Sequence, residues 1–143
     1  MGKINWGRVI MGGLVAGVGM NLLSFAGWAL LVRPSLSAAL LALGRPLQES
    51  VGVTVVMVVM TLLIGILAVW LYAAIRPRCG PGPGTAAVAG VVVGLLLGVF
   101  PDIGWGSILR LIPASVFVTD AVTTLVVVII GTILGAWVYK EQA

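Results

Sequence analysis

The chain offers few side chains that can do chemistry. Among its 143 residues histidine is absent, cysteine occurs once at Cys79, and the carboxylate side chains are Glu49, Asp102, Asp120 and Glu141. Without histidine there is no His-ligated haem or chlorophyll, no His metal site and no His-based triad or dyad. A lone thiol cannot form a Cys-x-x-Cys pair, an intrachain disulfide or a cysteine metal site, and Cys79 reads as a bystander. The glycines lie inside apolar runs, not between a strand and a helix, so neither a P-loop nor a dinucleotide fingerprint is present. These residues predict no catalytic machinery, no metal and no intrinsic cofactor; the chain is expected not to be an enzyme.

Three residues stand out as candidates for a polar site. Asp120 falls about two turns inside a helix that begins near Pro113, where an ionised group in lipid is expensive. It reads either as a proton or cation site coupled to Arg110, or as an interfacial carboxylate paired with Arg110 or Arg33; the second reading is preferred. Asn21, beside Ser24, sits mid-span among Gly12, Gly13, Gly17 and Gly19. Such a side chain can hold a polar ligand group, but more often bonds to a neighbouring helix, at roughly 0.6 kcal/mol on average. Thr54, Thr61, Thr123, Thr124 and Thr132 carry the same reading, since a helical Thr can satisfy itself on the carbonyl one turn back.

The elements that would position these groups are membrane helices. The chain is 61% hydrophobic and 8% charged, with a mean hydropathy of +1.23, whereas soluble domains carry about 25% charged residues. The net charge of +4 comes from basic residues scattered at the ends of apolar runs. They form no patch interleaved with aromatics, so nucleic acid is not an expected partner. Apolar runs predict four spans in one domain, 1–143, at about 9–32, 50–75, 84–100 and 115–139. A span needs roughly 20 residues, and the 24 uncharged residues Val9–Val32 are too many for the apolar core of a leader. The third run is short, because the pre-proline restriction should break its helix at Phe100; a re-entrant segment is the alternative. Lys3, Arg8, Arg76, Arg78 and Lys140 gather on one side, against Arg33, Arg45 and Arg110 on the other. This bias predicts cytoplasmic termini. Trp6, Trp70 and Trp137 fall at the inner ends and Trp28 and Trp105 at the outer ends, with Tyr72 and Tyr139 expected to reinforce the inner belt.

The connections have their own signals. Ser35 to Gly44 offers a Ser cap, a Gly stop and an apolar face of Leu36, Leu40, Leu43 and Leu47, predicting a short interfacial outer helix, with Trp105–Ile112 as its counterpart. The inner segment Arg76-Pro-Arg-Cys-Gly-Pro-Gly-Pro-Gly84 predicts a stiff turn with little room for helix. Ile66-Leu-Ala-Val-Trp-Leu-Tyr72 resembles Ile133-Leu-Gly-Ala-Trp-Val-Tyr139, which suggests a duplicated hairpin; convergence on interfacial Trp and Tyr is the competing explanation. The fold expected is therefore an all-α membrane bundle of four transmembrane helices.

Ala86, Gly90, Gly94 and Gly98 recur every fourth position. In water each interior Gly costs roughly 1 kcal/mol relative to Ala, but in lipid a small-residue groove lets another helix approach closely. At about 40° of drift per step, the stripe should contact more than one neighbour. Gly13/Gly17 and Gly131/Gly135 make the first and fourth spans its candidate partners. Val51–Val59 and Val126–Ile130 present β-branched surfaces suited to lipid, pigment tails or another subunit.

The stretch Trp70-Leu-Tyr-Ala-Ala-Ile-Arg-Pro-Arg-Cys-Gly-Pro-Gly-Pro-Gly84, together with Asn5-Trp-Gly-Arg-Val-Ile-Met-Gly-Gly-Leu-Val-Ala-Gly17, resembles a group of short four-span bacterial proteins with no assigned activity. The resemblance implies a bacterial inner-membrane location and supplies no catalytic residues. From these observations two functions are expected. The first is a non-catalytic accessory subunit packed against a larger respiratory or photosynthetic membrane complex, with lipid or carotenoid in grooves between helices. The alternative is a small oligomeric transporter or channel using Asp120 or Asn21. Four-span exporters of this length rely on a carboxylate deep in the first span, and Val9–Val32 contains none.

Overall fold

The structure, a computed structural model, describes residues 4–110 and 112–140; Lys3 and Glu141 lie outside the described residues. Every described element is helical. Helix α1 (Trp6–Gly27) starts at Asn5, whose side-chain oxygen accepts the Arg8 N–H at 3.2 Å. It continues through a π turn (Trp28–Val32) into α2 (Arg33–Ala42). Helix α3 covers Val51–Cys79. Helix α4 (Pro83–Gly94) runs through a second π turn (Leu95–Val99) into α5 (Phe100–Leu109), and α6 covers Ala114–Val138. Four helical paths are long and apolar enough to cross a membrane: Trp6–Ala42, Val51–Cys79, Pro83–Gly106 and Ala114–Val138.

Phe100 does not end its helix, contrary to the pre-proline expectation. Pro34 and Pro101 each lie two residues beyond a π turn, closed by Arg33 N–H to Trp28 O and by Phe100 N–H to Leu95 O. A proline ring clashes with the carbonyl four residues back, and the wider turn relieves that clash, so the helix bends through. The 76–84 segment is also more helical than expected. Pro77 is absorbed in the last turn of α3, and the helix stops only at Gly80, whose φ of +83° suits glycine. Nor does Ser35 cap a separate helix: α2 follows the π turn directly, and the nearby Ser37 hydroxyl donates to Pro34 O at 3.0 Å. Its predicted stop is present. Gly44, at φ +71°, donates to Leu41 O while Arg45 donates to Leu40 O, the paired bonds of a Schellman ending. The counterpart expected at Trp105–Ile112 is instead the end of α5, closed by Arg110 in the left-handed region at φ +45°.

In the bundle α1 packs on α3 and α6, and α6 packs on α1 and α4; α3 completes the ring against α4. The core is built of small residues around a few larger ones, with Val9, Ala16, Met20, Ala68, Val69 and Ala89 fully buried. Buried positions recur with matching spacing. Gly12, Gly13, Ala16, Gly17 and Met20 on α1 show the same pattern as Thr85, Ala86, Ala89, Gly90 and Val93 on α4, at an offset of 73 residues. Gly65, Ala68, Val69 and Tyr72 correspond to Thr132, Gly135, Ala136 and Tyr139.

The two halves differ at the end carrying residues 43–50 and 110–113, here the loop end. In the second half α5 folds onto α6, where a Cβ on Gly106 would lie 2.8 Å from the Phe117 ring. In the first half α3 is exposed on every side from Val51 to Met60. The Val126–Ile130 segment, expected as an outward surface, instead buries Val127 and Val128 in the core.

Candidate functional site

The features that organise this chain are backbone crossings made possible by glycine. On α1, Gly17 faces α3, where a Cβ would lie 2.7 Å from Leu62 Cα; Gly13 meets Ile66 just as closely. From the other side, a Cβ on Gly65 would sit 2.5 Å from both Gly13 O and Gly17 N. Gly131 and Gly135 on α6 face α1, the first against Met20 and the second against Gly12 and Ala16. The three glycines of the stripe face α6. Gly90 lies over Ile129, Gly94 over Leu125 and Gly98 over Thr124, while Ala86 is fully buried. The first span is therefore not the partner of the stripe. Its own glycines are committed elsewhere, Gly13 and Gly17 to α3 and Gly12 and Gly19 to α6, and the π turn after Gly94 corrects the drift that a straight helix would accumulate.

The polar candidates separate into spent and open groups. Asn21 Nδ2 donates to Gly17 O at 2.9 Å and to Val58 O at 3.3 Å, which ties α1 to α3. Thr54, Thr61, Thr123 and Thr132 each donate to the carbonyl four residues back. Arg33 pairs with Glu49 at 2.8 Å, with both side chains more than half exposed. An exposed pair of this kind contributes roughly 0–1 kcal/mol. Asp120 is half-buried on α6, and the carboxyl of Asp102 at the start of α5 is its electrostatic neighbour. Arg110 follows α5 on the same end, exposed and interacting with its surroundings. Among the described residues no three His, Cys, Asp or Glu side chains converge as metal ligands would. Two open cavities lie at the loop end. One, of about 400 Å³, is bordered by Ala29, Arg33, Ser37 and Leu47; the other, of about 310 Å³, by Ile103, Arg110 and Phe117.

The opposite, terminal end gathers the start of α1, the end of α3, the start of α4 and the end of α6. Here the expectation of an interfacial tyrosine belt fails. Tyr72 and Tyr139 are buried and meet edge to face, with ring centroids 6.0 Å apart. The Asn5 N–H donates to Tyr139 Oη at 3.5 Å, and the Gly82 N–H donates to Tyr72 Oη at 3.4 Å. Each tyrosine, closing one hairpin, thus receives the N-cap amide of the other. A buried phenol needs a partner for its hydroxyl, and an uncommitted helix N-terminal amide supplies one. Arg76 lies over the Tyr139 ring, 5.6 Å from its centroid, a cation–π distance.

No protein-family profile, curated protein or solved structure matches the chain.

Sequence reasoning missed the tyrosine pair because each ring looked like an ordinary interfacial residue. A signal was present: Trp70 and Trp137, Tyr72 and Tyr139, Pro34 and Pro101, and Gly27 and Gly94 are each 67 residues apart.

Proposed function

We propose that the protein is a non-catalytic accessory subunit that packs against a larger integral membrane complex, respiratory or photosynthetic in type. The observation carrying this reading is the exposed first third of α3, Val51 to Met60, in a bundle whose helices elsewhere meet backbone to backbone. Ten consecutive exposed residues, mostly valine and methionine, leave this stretch with little protein cover beyond the bond from Asn21 to Val58 O. Such a surface is compatible with bulk lipid, and it also suits a transmembrane helix of another subunit, with lipid or carotenoid filling the grooves. The resemblance to short four-span bacterial proteins and the basic terminal end support a bacterial inner-membrane location with cytoplasmic termini.

The same reading takes the chain as two duplicated hairpins in parallel orientation. Support comes from the 67-residue spacing shared by the Trp, Tyr, Pro and Gly pairs and by the two π turns, from the matching burial in α3 and α6, and from the contact between Tyr72 and Tyr139. Residues equivalent in two copies touch one another only close to a two-fold axis. It also places α2 at the outer interface. A helical path of 37 residues is about 55 Å long, well beyond the roughly 30 Å of hydrocarbon.

A small oligomeric transporter remains the second reading, favoured by the proximity of Asp102 and Asp120; Asn21 is already spent between α1 and α3. One experiment separates the two. The protein is extracted from native membranes in mild detergent and captured by a C-terminal tag. Accessory function predicts that other integral membrane chains co-purify in fixed ratio, and that the Val55→Trp/Met57→Trp variant reduces their recovery at least about tenfold. Capture of this chain alone would overturn the reading.

A further inference from the structure

The two ends of the bundle differ in charge, and the difference has a chemical consequence. At the loop end the described charges offset one another, Arg33, Arg45 and Arg110 standing against Glu49, Asp102 and Asp120. At the terminal end the described residues include Arg8, Arg76, Arg78 and Lys140, and with Glu141, next to Lys140 in the sequence, counted against them the balance is still basic. Arg76 is engaged with the Tyr139 ring. Arg8 near the start of α1, Arg78 in the last turn of α3 and Lys140 after α6 are all exposed, so they surround the end on three of its helices. Trp6 and Trp137 are 60% and 71% exposed at the same level, where indole rings settle among lipid headgroups.

We propose that this terminal end is a cationic collar that selects anionic phospholipid headgroups from the surrounding leaflet. Three observations converge on lipid as the occupant. The cations are distributed around the bundle where its helices emerge, not collected into one pocket. Exposed indoles share their level. The apolar helix walls directly below them are the surfaces that acyl chains must cover. Near an anionic leaflet each exposed Lys or Arg is attracted to the headgroups, and the effect fades within a Debye length. A collar of three exposed cations therefore gives a strong preference without any enclosed site. The collar does not depend on the accessory-subunit reading.

The test uses the full-length protein in nanodiscs of mixed phosphatidylglycerol and phosphatidylcholine, with native mass spectrometry reporting the lipids retained. The wild type is expected to retain phosphatidylglycerol over phosphatidylcholine by about tenfold or more, and 500 mM salt is expected to erase most of that preference. The triple variant Arg8→Gln/Arg78→Gln/Lys140→Gln should retain both lipids equally while melting normally in neutral detergent. The charge-preserving variant Arg8→Lys/Arg78→Lys/Lys140→Arg should keep the preference. If the triple variant fails to fold, Arg78→Gln and Lys140→Gln singly should each lower the preference several-fold. Equal retention by the wild type, or an undiminished preference in the variants that remove charge, would overturn the proposal. So would equal stabilisation by inorganic phosphate in neutral nanodiscs, which would show an anion site and not a lipid surface.

Discussion

Replacing Gly135 by leucine is expected to abolish the folded bundle. A Cβ there would lie 2.5 Å from Gly12 O, 2.6 Å from Val69 Cγ2 and 2.8 Å from Ala16 Cβ, so three elements meet at one hydrogen atom's width. One of those atoms is backbone, and Gly12 repeats the contact from the other side, with its own Cβ 2.7 Å from Gly135 O. No rotamer change can make room. Overpacking in a core ordinarily costs about 1–3 kcal/mol when side chains can yield. Here α1 and α6 must separate, and the loss should reach or exceed the top of that range. The measurement is thermal melting in mild detergent, followed by intrinsic fluorescence and aggregation. Gly52→Leu is the control, since the nearest atom to a Cβ at Gly52 is Ser50 Oγ at 3.7 Å, and its melting should match the wild type. A Gly135→Leu protein that melts like the control would show that α1 and α6 do not cross there.

Gly65→Leu should be nearly as damaging, by a different route. Its Cβ would lie 2.5 Å from Gly13 O, 2.5 Å from Gly17 N and 2.8 Å from Gly17 Cα, all backbone atoms of α1. This contact is within the first hairpin, so the substitution should pry α1 from α3. The bond from Asn21 Nδ2 to Val58 O, two turns away, should be lost with it. Limited proteolysis of the 43–50 connection reports the change: the variant should be cut several-fold faster than the wild type, whereas Gly84→Ala, with nothing within 4 Å, should not alter the rate. Unchanged cleavage would place the α1–α3 seam elsewhere.

The sequence made some of this architecture readable and hid the rest for identifiable reasons. Four spans were visible because apolar runs of this length have no other soluble or membrane use. The importance of Gly13, Gly17, Gly90, Gly94, Gly131 and Gly135 was visible from their four-residue spacing. Their pairing was not, because spacing on one helix carries no information about which neighbour supplies the opposing backbone. Pro101 was read as a terminator since the pre-proline rule describes an unperturbed α-helix. A π turn changes the backbone path just upstream, and nothing in Leu95-Leu-Leu-Gly-Val99 announces one. Tyr72 and Tyr139 were read as interfacial by residue type, yet their partners are amides at helix starts, one of them at Asn5, remote in sequence from Tyr139. Asp120 and Asp102 were each visible as isolated carboxylates; their proximity depends on α5 folding back onto α6.

The arrangement from which the other readings follow is that both hairpins run in the same direction and meet at Tyr72 and Tyr139. Its direct test is cysteine cross-linking in intact membranes. In a Cys79→Ser background, Tyr72→Cys and Tyr139→Cys are combined and treated with a short bismaleimide, after cleavage of an engineered protease site in the 110–113 connection. The structure predicts that the two fragments remain covalently joined, while Tyr72→Cys paired with Val118→Cys, on α6 near the opposite end, gives free fragments. Fragments that separate in the first variant, or join in the second, would contradict the parallel arrangement.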